Sequence, residues 1–135
     1  MSVVDLGVGY SRVEMELSSR HLNPFGGIHG GVYSSLIDTA AYWAVYCDVA
    51  ENAGLISLDV SVTMLAPVKT GRLVVEGKRI KAGRTICIAE AAVVDENGKY
   101  LAHGTSKQMV TPGLQTIAQA VKAIGYKELP PKFLD

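Results

Sequence analysis

A chain of 135 residues is long enough for one domain with its own core, and its balance of 48% apolar and 19% charged residues excludes long disordered tracts. The 13 basic and 13 acidic residues cancel without forming a cluster, which argues against a nucleic-acid partner. No apolar run reaches the roughly 20 residues of a membrane span, the N-terminus lacks a secretory signal, and the isolated Cys47 and Cys87 are typical of free thiols, so we expect a cytoplasmic protein without a membrane partner.

The first half of the chain is predicted to hold one strand, one loop and one helix. Residues 10–17 alternate as a half-buried strand, and Asn23-Pro24 with Gly26-Gly27 favours an ordered loop over residues 18–29. A helix is predicted from Gly30-Gly31 toward Cys47. Most of its circumference is apolar, which indicates a buried helix rather than a surface one.

The second half is predicted to be mainly strands. Alternation of apolar and polar residues begins at Ser57, with Leu58, Val60, Val62 and Met64 on one face and Ser57 on the other. Three more strands are predicted over residues 71–80, 84–94 and 99–111, the last two joined by a hairpin at Asn97-Gly98. A short amphipathic helix should follow Pro112-Gly113 and end at Gly125, before an extended tail.

These elements predict an α+β fold in which an antiparallel sheet accompanies one long central helix. A flat sheet cannot bury such a helix alone, so the sheet must curl around it or a second subunit must cover it. Long strands also leave exposed edges, which a dimer can pair. We expect residues 1–111 to form the main domain and residues 112–135 to add a short C-terminal helix and tail to it.

Three features of residues 21–41 point to chemistry at a carbonyl group. Gly30, at a predicted helix start, offers backbone N–H groups that suit an oxyanion, although a tight entry turn would also explain the glycines. Asp38 is a lone acid in a buried helix, which indicates either a function or a structural hydrogen bond. The Asn23 amide can hold a carbonyl or a water, although an Asn before a proline also starts turns.

The spacing of Gly30 and Asp38 constrains how they act together. Eight helical residues correspond to about 12 Å of axial rise, which is too far for both groups to reach one carbonyl. If both act on the same substrate, Asp38 must come from a second subunit. The helices of a dimer would then lie antiparallel and form two shared sites.

The run of His21, Asn23, Pro24, Gly26, His29, Gly30, Gly31, Leu36, Asp38 and Ala40 resembles the signature of hotdog-fold thioesterases of the phenylacetate-degradation type. The resemblance continues through the segment SLDVSVTMLAPVKTGRL, residues 57–73, and the strands up to about residue 111. It implies a hotdog fold, in which a curled antiparallel sheet surrounds the central helix, and an enzyme that hydrolyses an acyl-CoA to free acid and CoA.

The same resemblance implies roles for five residues. The Gly30 N–H would polarise the thioester carbonyl, and Asn23 would help to hold that oxygen or the attacking water. Asp38 of the partner subunit would be a general base or a nucleophile, and Ser57 would assist the water. His29 would orient the loop. The resemblance implies no metal or other cofactor, since coenzyme A belongs to the substrate, and it implies a dimer that often pairs into a tetramer.

The resemblance also implies that the turn KAGRT, residues 81–85, lies where thioesterases of this type bind coenzyme A. Lys81 and Arg84 would meet phosphate charge, Gly83 would allow close backbone approach, and Thr85 completes the turn. A plain basic hairpin tip is the competing interpretation. Four aromatic residues are candidates for an acyl pocket, although core packing is the simpler explanation for any one of them: Phe25, Tyr33, Tyr42 and Trp43.

Four other functions compete as explanations of the same residues. A Ser-His-Asp hydrolase lacks its G-x-S-x-G motif, and His21, His29 and His103 form no recognised metal-ligand pair. A hotdog dehydratase or hydratase would use a histidine and an acid, which His21 and Asp38 could imitate. A non-catalytic acyl-CoA-binding protein would have little use for a buried acid.

Overall fold

The computed structural model describes residues 1–114 and 117–125, so the predicted tail over 126–135 lies outside the described residues. Its elements in chain order are β1 (Ser2–Gly7), β2 (Tyr10–Glu16), a 3-10 turn (Ser19–His21), α1 (Gly30–Tyr46), β3 (Ala53–Met64), β4 (Arg72–Ala82), β5 (Ile86–Val94), β6 (Tyr100–Pro112) and α2 (Ile117–Ile124). The strands form one antiparallel sheet in the order β1-β2-β4-β5-β6-β3.

Helix α1 is the centre of the fold, because it contacts all of β2 to β6. A single helix can touch five strands of one sheet only if the sheet curls around it. The predicted α+β architecture with one buried central helix is therefore confirmed. The helix buries the side chains of Tyr33, Leu36, Ile37, Ala40, Ala41, Ala44 and Val45.

Four of the predicted strands correspond closely to β2, β4, β5 and β6, whose ends shift by at most two residues. The predicted short helix is confirmed as α2, and Gly125 follows it with a φ of +74°. Strand β1 was not predicted. Its sequence SVVDLG has no alternation, and it exposes Val3, Val4 and Leu6 to differing degrees, so its pairing with β2 rather than a buried face holds it in place.

Strand β3 differs from its prediction in its first residue and in the direction in which one of its side chains points. It begins at Ala53, because residues 53–56 pair with Met109–Pro112 of β6, although they lack an alternating pattern. A β-bulge lies between Ser57 and Asp59. Leu58 is therefore 48% exposed instead of facing the core, whereas Val60 and Val62 pack against the core as predicted.

Strand β3 is also the last strand of the sheet, and it leaves one edge of 12 residues unpaired. Long open edges are rare in stable monomers, because their backbone groups can pair with another chain. Four large apolar side chains are exposed on or beside this strand: Ile56, Leu58, Met64 and Leu65.

Candidate active site

The Asp38 carboxylate lies midway along α1 and is held by side chains of two strands. Its Oδ1 atom accepts hydrogen bonds from Ser57 Oγ of β3 (2.8 Å), Ser106 Oγ of β6 (3.0 Å) and Gln108 Nε2 of β6 (3.2 Å). All three donors converge on one oxygen. Among the described residues none donates to Oδ2, so this second oxygen is free to meet a ligand.

Ser106 and Gln108 were not predicted as site residues, although β6 contains a signal for them. Alternate residues of β6 face α1, beginning with the buried Ala102 and Gly104. The next two inward positions are Ser106, 1% exposed, and Gln108, fully buried. Two polar side chains on a buried face need partners, and the Asp38 carboxylate is the partner they find.

The first turn of α1 presents a backbone N–H group at Gly30. His29 caps the helix with extended backbone angles, and its Nδ1 accepts a hydrogen bond from the Gly31 N–H (3.1 Å). The His29 carbonyl accepts from the Val32 N–H (2.9 Å). Within the described part of the chain the Gly30 N–H has no hydrogen-bond acceptor, and it lies at the positive end of the helix dipole.

Asn23 organises the loop that leads to this helix. Its side-chain Oδ1 accepts hydrogen bonds from the backbone N–H groups of Phe25 (2.9 Å) and Gly27 (3.2 Å). The backbone N–H of Asn23 donates to the Gly27 carbonyl (2.7 Å). The amide oxygen therefore has the turn-forming role weighed from the sequence. The Nδ2 group makes no hydrogen bond within residues 1–114 and 117–125, so it remains available as a donor.

One chain does not bring Gly30 and Asp38 together. Both lie on α1, with Gly30 as its first residue and Asp38 eight residues later, which corresponds to about 12 Å of helix. Asp38 instead faces β3, one of the two edge strands of the sheet, through its bond to Ser57.

The predicted coenzyme A turn is the tip of the β4–β5 hairpin. Lys81, Arg84 and Thr85 are exposed, and the Gly83 N–H closes the turn by donating to the Ile86 carbonyl (2.9 Å). A Cβ atom on Gly83 would lie 2.6 Å from that same carbonyl oxygen, so the turn requires glycine here. The tip carries two cationic side chains beside a closely approachable backbone, and Cys87, three residues after Arg84, pairs with Gln108 of the Asp38 cluster.

The aromatic candidates occupy three different environments. Tyr33 is buried, and its hydroxyl donates to the Ala66 carbonyl (2.9 Å); burial raises the pKa of this phenol. Tyr42 and Trp43 form an edge-to-face pair with ring centres 5.1 Å apart near the end of α1. Phe25 is 92% exposed at the loop tip. They do not form one aromatic pocket in a single chain.

Neither a membrane span nor a metal centre is found in the described residues. No helix among residues 1–114 and 117–125 is both long and apolar enough to cross a membrane. No group of three or more His, Cys, Asp or Glu side chains in the same ranges is arranged to hold a metal ion.

The comparisons with known proteins agree with this fold. Residues 25–102 match the family described as the thioesterase superfamily, so the chain belongs to that family. The predicted thioesterase class of enzyme is thereby confirmed. The matched segment contains Gly30, Asp38 and Ser57 but ends before Ser106 and Gln108.

Three curated relatives have related names. Acyl-coenzyme A thioesterase 13 of Mus musculus is 30% identical over 93 residues, which cover 67% of this chain and 66% of that protein. The Homo sapiens protein of the same name is 27% identical over 106 residues, covering 77% and 75%. The proofreading thioesterase EntH of Klebsiella pneumoniae is 29% identical over 104 residues, covering 72% and 76%. The matches thus span about two thirds to three quarters of these relatives.

Solved structures confirm the hotdog fold. A thioesterase from Haemophilus influenzae superposes with a TM-score of 0.78 at 25% identity, covering 84% of this chain and 79% of that one. A hypothetical thioesterase from Streptococcus pneumoniae, solved with coenzyme A, gives a TM-score of 0.75 at 22% identity and covers 83% and 86%. At that identity the second likeness concerns the fold alone.

Proposed function

We propose that this protein is a cytoplasmic enzyme that hydrolyses acyl-CoA thioesters to a free acid and coenzyme A, as a homodimer with two shared active sites. The observation that carries the proposal is the Asp38 carboxylate, whose Oδ1 is fixed by three donors while Oδ2 is free. A carboxylate held this rigidly on a thioesterase scaffold is suited to act on a thioester or on its attacking water.

In the proposed reaction the thioester carbonyl accepts a hydrogen bond from the Gly30 N–H, which stabilises the negative charge that develops on its oxygen. With Asp38 as general base, a water loses its proton to the carboxylate and its oxygen attacks the carbonyl carbon. The carbon–sulfur bond then breaks, and the CoA thiolate leaves and is protonated. With Asp38 as nucleophile, its carboxylate attacks the carbonyl carbon and the carbon–sulfur bond breaks to release the CoA thiolate. Water then hydrolyses the resulting mixed anhydride to the free acid and restores Asp38.

The geometry supports an Asp38 that acts in the site of the partner subunit. Gly30 and Asp38 are separated by about 12 Å along one helix, and Asp38 bonds to Ser57 on β3, the longer of the two edge strands. Pairing of two β3 edges would satisfy 12 residues of unpaired backbone in each chain and cover Ile56 and Leu58. Further pairing of dimers into a tetramer is part of the proposal.

The other predicted residues have supporting roles in this scheme. Ser57 bonds Asp38 directly and would share the attacking water. Asn23 has a free Nδ2 donor and shapes the loop before Gly30. His29 caps the helix, which fits an orienting role rather than proton transfer.

The CoA part of the substrate would lie at the β4–β5 tip, with Lys81 and Arg84 near its phosphates and Gly83 and Thr85 lining the turn. The names of the mouse and human relatives support a CoA thioester as the substrate. An aromatic acyl group of the phenylacetate-degradation type is the finer form of this proposal. Water is the sole co-reactant required, so the scheme uses no cofactor.

The deciding experiment measures free thiol released from a panel of aromatic and aliphatic acyl-CoAs. The wild type should turn over at least one class, and Asp38→Ala should lose at least about a hundredfold in kcat/KM. Glu90→Ala is the matched control, because Glu90 is a half-exposed carboxylate on the sheet's outer face, 3.6 Å from His103. The control should retain the wild-type rate.

A second variant separates this function from its closest rival. A dehydratase or hydratase that uses His21 should lose nearly all activity in His21→Ala, whereas the thioesterase should keep much of it. Absence of thiol release from every acyl-CoA by the wild type would contradict the thioesterase proposal. Binding without turnover would then favour an acyl-CoA-binding protein.

A further inference from the structure

On the basis of the proposed function, we infer that Gln108 and Ser106 are positioning residues. They hold Asp38 through hydrogen bonds to Oδ1, so that Oδ2 is the oxygen that reacts. Gln108 also provides a second acceptor for the Ser57 hydroxyl. The family match ends at residue 102, so it does not include either strand residue.

The hydrogen atoms of this cluster can be counted. The Gln108 amide has two N–H donors, and Nε2 lies 3.2 Å from Asp38 Oδ1 and 2.6 Å from Ser106 Oγ. With its oxygen accepting from Gln108, Ser106 donates its own hydrogen to Asp38 Oδ1 at 3.0 Å. The three hydrogens of these two side chains are therefore all used in holding one oxygen of the carboxylate, two of them directly and one through Ser106.

Burial makes this clamp rigid. Gln108 is fully buried and Ser106 is 1% exposed, so water does not compete for these bonds. Both side chains come from the middle of β6, which is paired on one side with β5 and on the other with β3. A carboxylate bonded to such a support cannot rotate freely, and the same oxygen always points away from the clamp.

Ser57 differs from the other two donors because it has a choice of acceptor. It lies opposite Gln108 in the β3–β6 pair, and its Oγ is 2.8 Å from Asp38 Oδ1 and 3.1 Å from Gln108 Oε1. A hydroxyl has one hydrogen and can donate to one of these at a time. While Asp38 is ionised, the charged oxygen is the stronger acceptor.

When Asp38 Oδ2 takes the proton of the attacking water, the carboxyl group becomes neutral and Oδ1 becomes a weaker acceptor. The Ser57 hydrogen then turns to Gln108 Oε1, and no buried group loses its partner. The proton gained by Oδ2 comes from water, and the hydroxyl oxygen of that water forms the new bond to the carbonyl carbon. Gln108 thus serves both protonation states of Asp38.

The test compares Gln108→Met in two backgrounds, using thiol release from the best acyl-CoA. Methionine has nearly the same volume as glutamine and makes no comparable hydrogen bonds. In the wild-type background we expect kcat to fall at least about tenfold with KM changing less than about threefold, because the lost effect acts on the transition state. In the Asp38→Ala background we expect the residual rate to change less than about twofold, because a positioning residue has nothing left to position.

A purely structural role predicts a different pattern. A loss of folded protein would lower the rate by the same factor in both backgrounds, and that result would overturn the inference while leaving the thioesterase function intact. Thr105→Val is the matched control, since Thr105 precedes Ser106 on β6 and faces the other side of the sheet; it should retain the wild-type kcat. If Gln108→Met does not fold, Ser106→Ala removes one donor with a smaller change in volume. Its effect on the rate of thiol release is then compared in the wild-type and Asp38→Ala backgrounds in the same way. Absence of thiol release by the wild type would overturn both the proposed function and this inference.

Discussion

The side chain of Met64 lies against Gly30 at the start of the central helix: a Cβ atom placed on Gly30 would be 2.6 Å from Met64 Cε. The obstacle is the far end of a flexible, 56% exposed side chain, so it can move aside. A Cβ at Gly30 is thus sterically tolerable, and the importance of its N–H can be tested separately from its small size.

We predict that Gly30→Pro abolishes activity more completely than Gly30→Ala. Both add a Cβ beside Met64, but only proline removes the N–H, and proline suits the first position of a helix whose preceding residue is extended, as His29 is. Loss of an oxyanion donor should lower kcat about a hundredfold or more for Gly30→Pro. Equal losses in the two variants, with Met64→Ala added to each to remove the contact, would show that the N–H is not used.

Mixing two inactive variants should restore activity if the sites are shared. In a heterodimer of Gly30→Pro and Asp38→Ala chains, one of the two sites combines an intact Gly30 with an intact Asp38. Random mixing should therefore regain about a quarter of the wild-type rate, since half of the dimers are mixed and each has one good site. A mixture that stays inactive, while exchange of subunits is verified by mass, would place both residues in the site of one chain.

Gly77→Ala should destabilise the protein because β4 passes close under the helix at this point. A Cβ on Gly77 would lie 2.7 Å from Ser11 Oγ, and closer still to the Ala40 carbonyl oxygen, which accepts a 2.5 Å hydrogen bond from Ser11. We expect the free energy of unfolding to fall by about 1–3 kcal/mol, the usual cost of overpacking, measured by urea denaturation. Gly7→Ala is the control, because nothing lies within 4 Å of its Cβ; a comparable loss there would contradict the explanation.

Stability should decline at alkaline pH partly through Cys87. Burial, with a smaller contribution from the charge of Asp48, raises the pKa of this thiol above its ordinary value of 9.0. The unfolded chain therefore releases the proton first, so the stabilisation is complete below the unfolded pKa and is lost as pH rises from there toward the folded pKa. The free energy of unfolding should fall less steeply as pH rises above 9.0 in Cys87→Ala than in the wild type. Identical slopes would contradict this prediction.

The sequence determined the elements whose patterns are local. The broad apolar surface of residues 30–47 predicted a buried helix, and a single buried helix required a sheet that curls around it. The loop before Gly30 and the lone acid Asp38 could be predicted from the sequence, because glycine pairs mark loops and a single charge is conspicuous in an apolar helix. The strands predicted over residues 71–80, 84–94 and 99–111 lie within two residues of the observed ends of β4, β5 and β6.

Only the tertiary structure decided what surrounds Asp38. By strict alternation Ser57 lies on the face opposite Val60, but the bulge at Leu58 changes the inward face and turns Ser57 toward the helix. A bulge depends on how β3 pairs with β6, almost 50 residues later in the chain, and no local pattern encodes that pairing. Ser106 and Gln108 likewise contact Asp38 only because α1 packs on β6. Strand β1 has no alternating pattern of its own and is fixed by its pairing with β2.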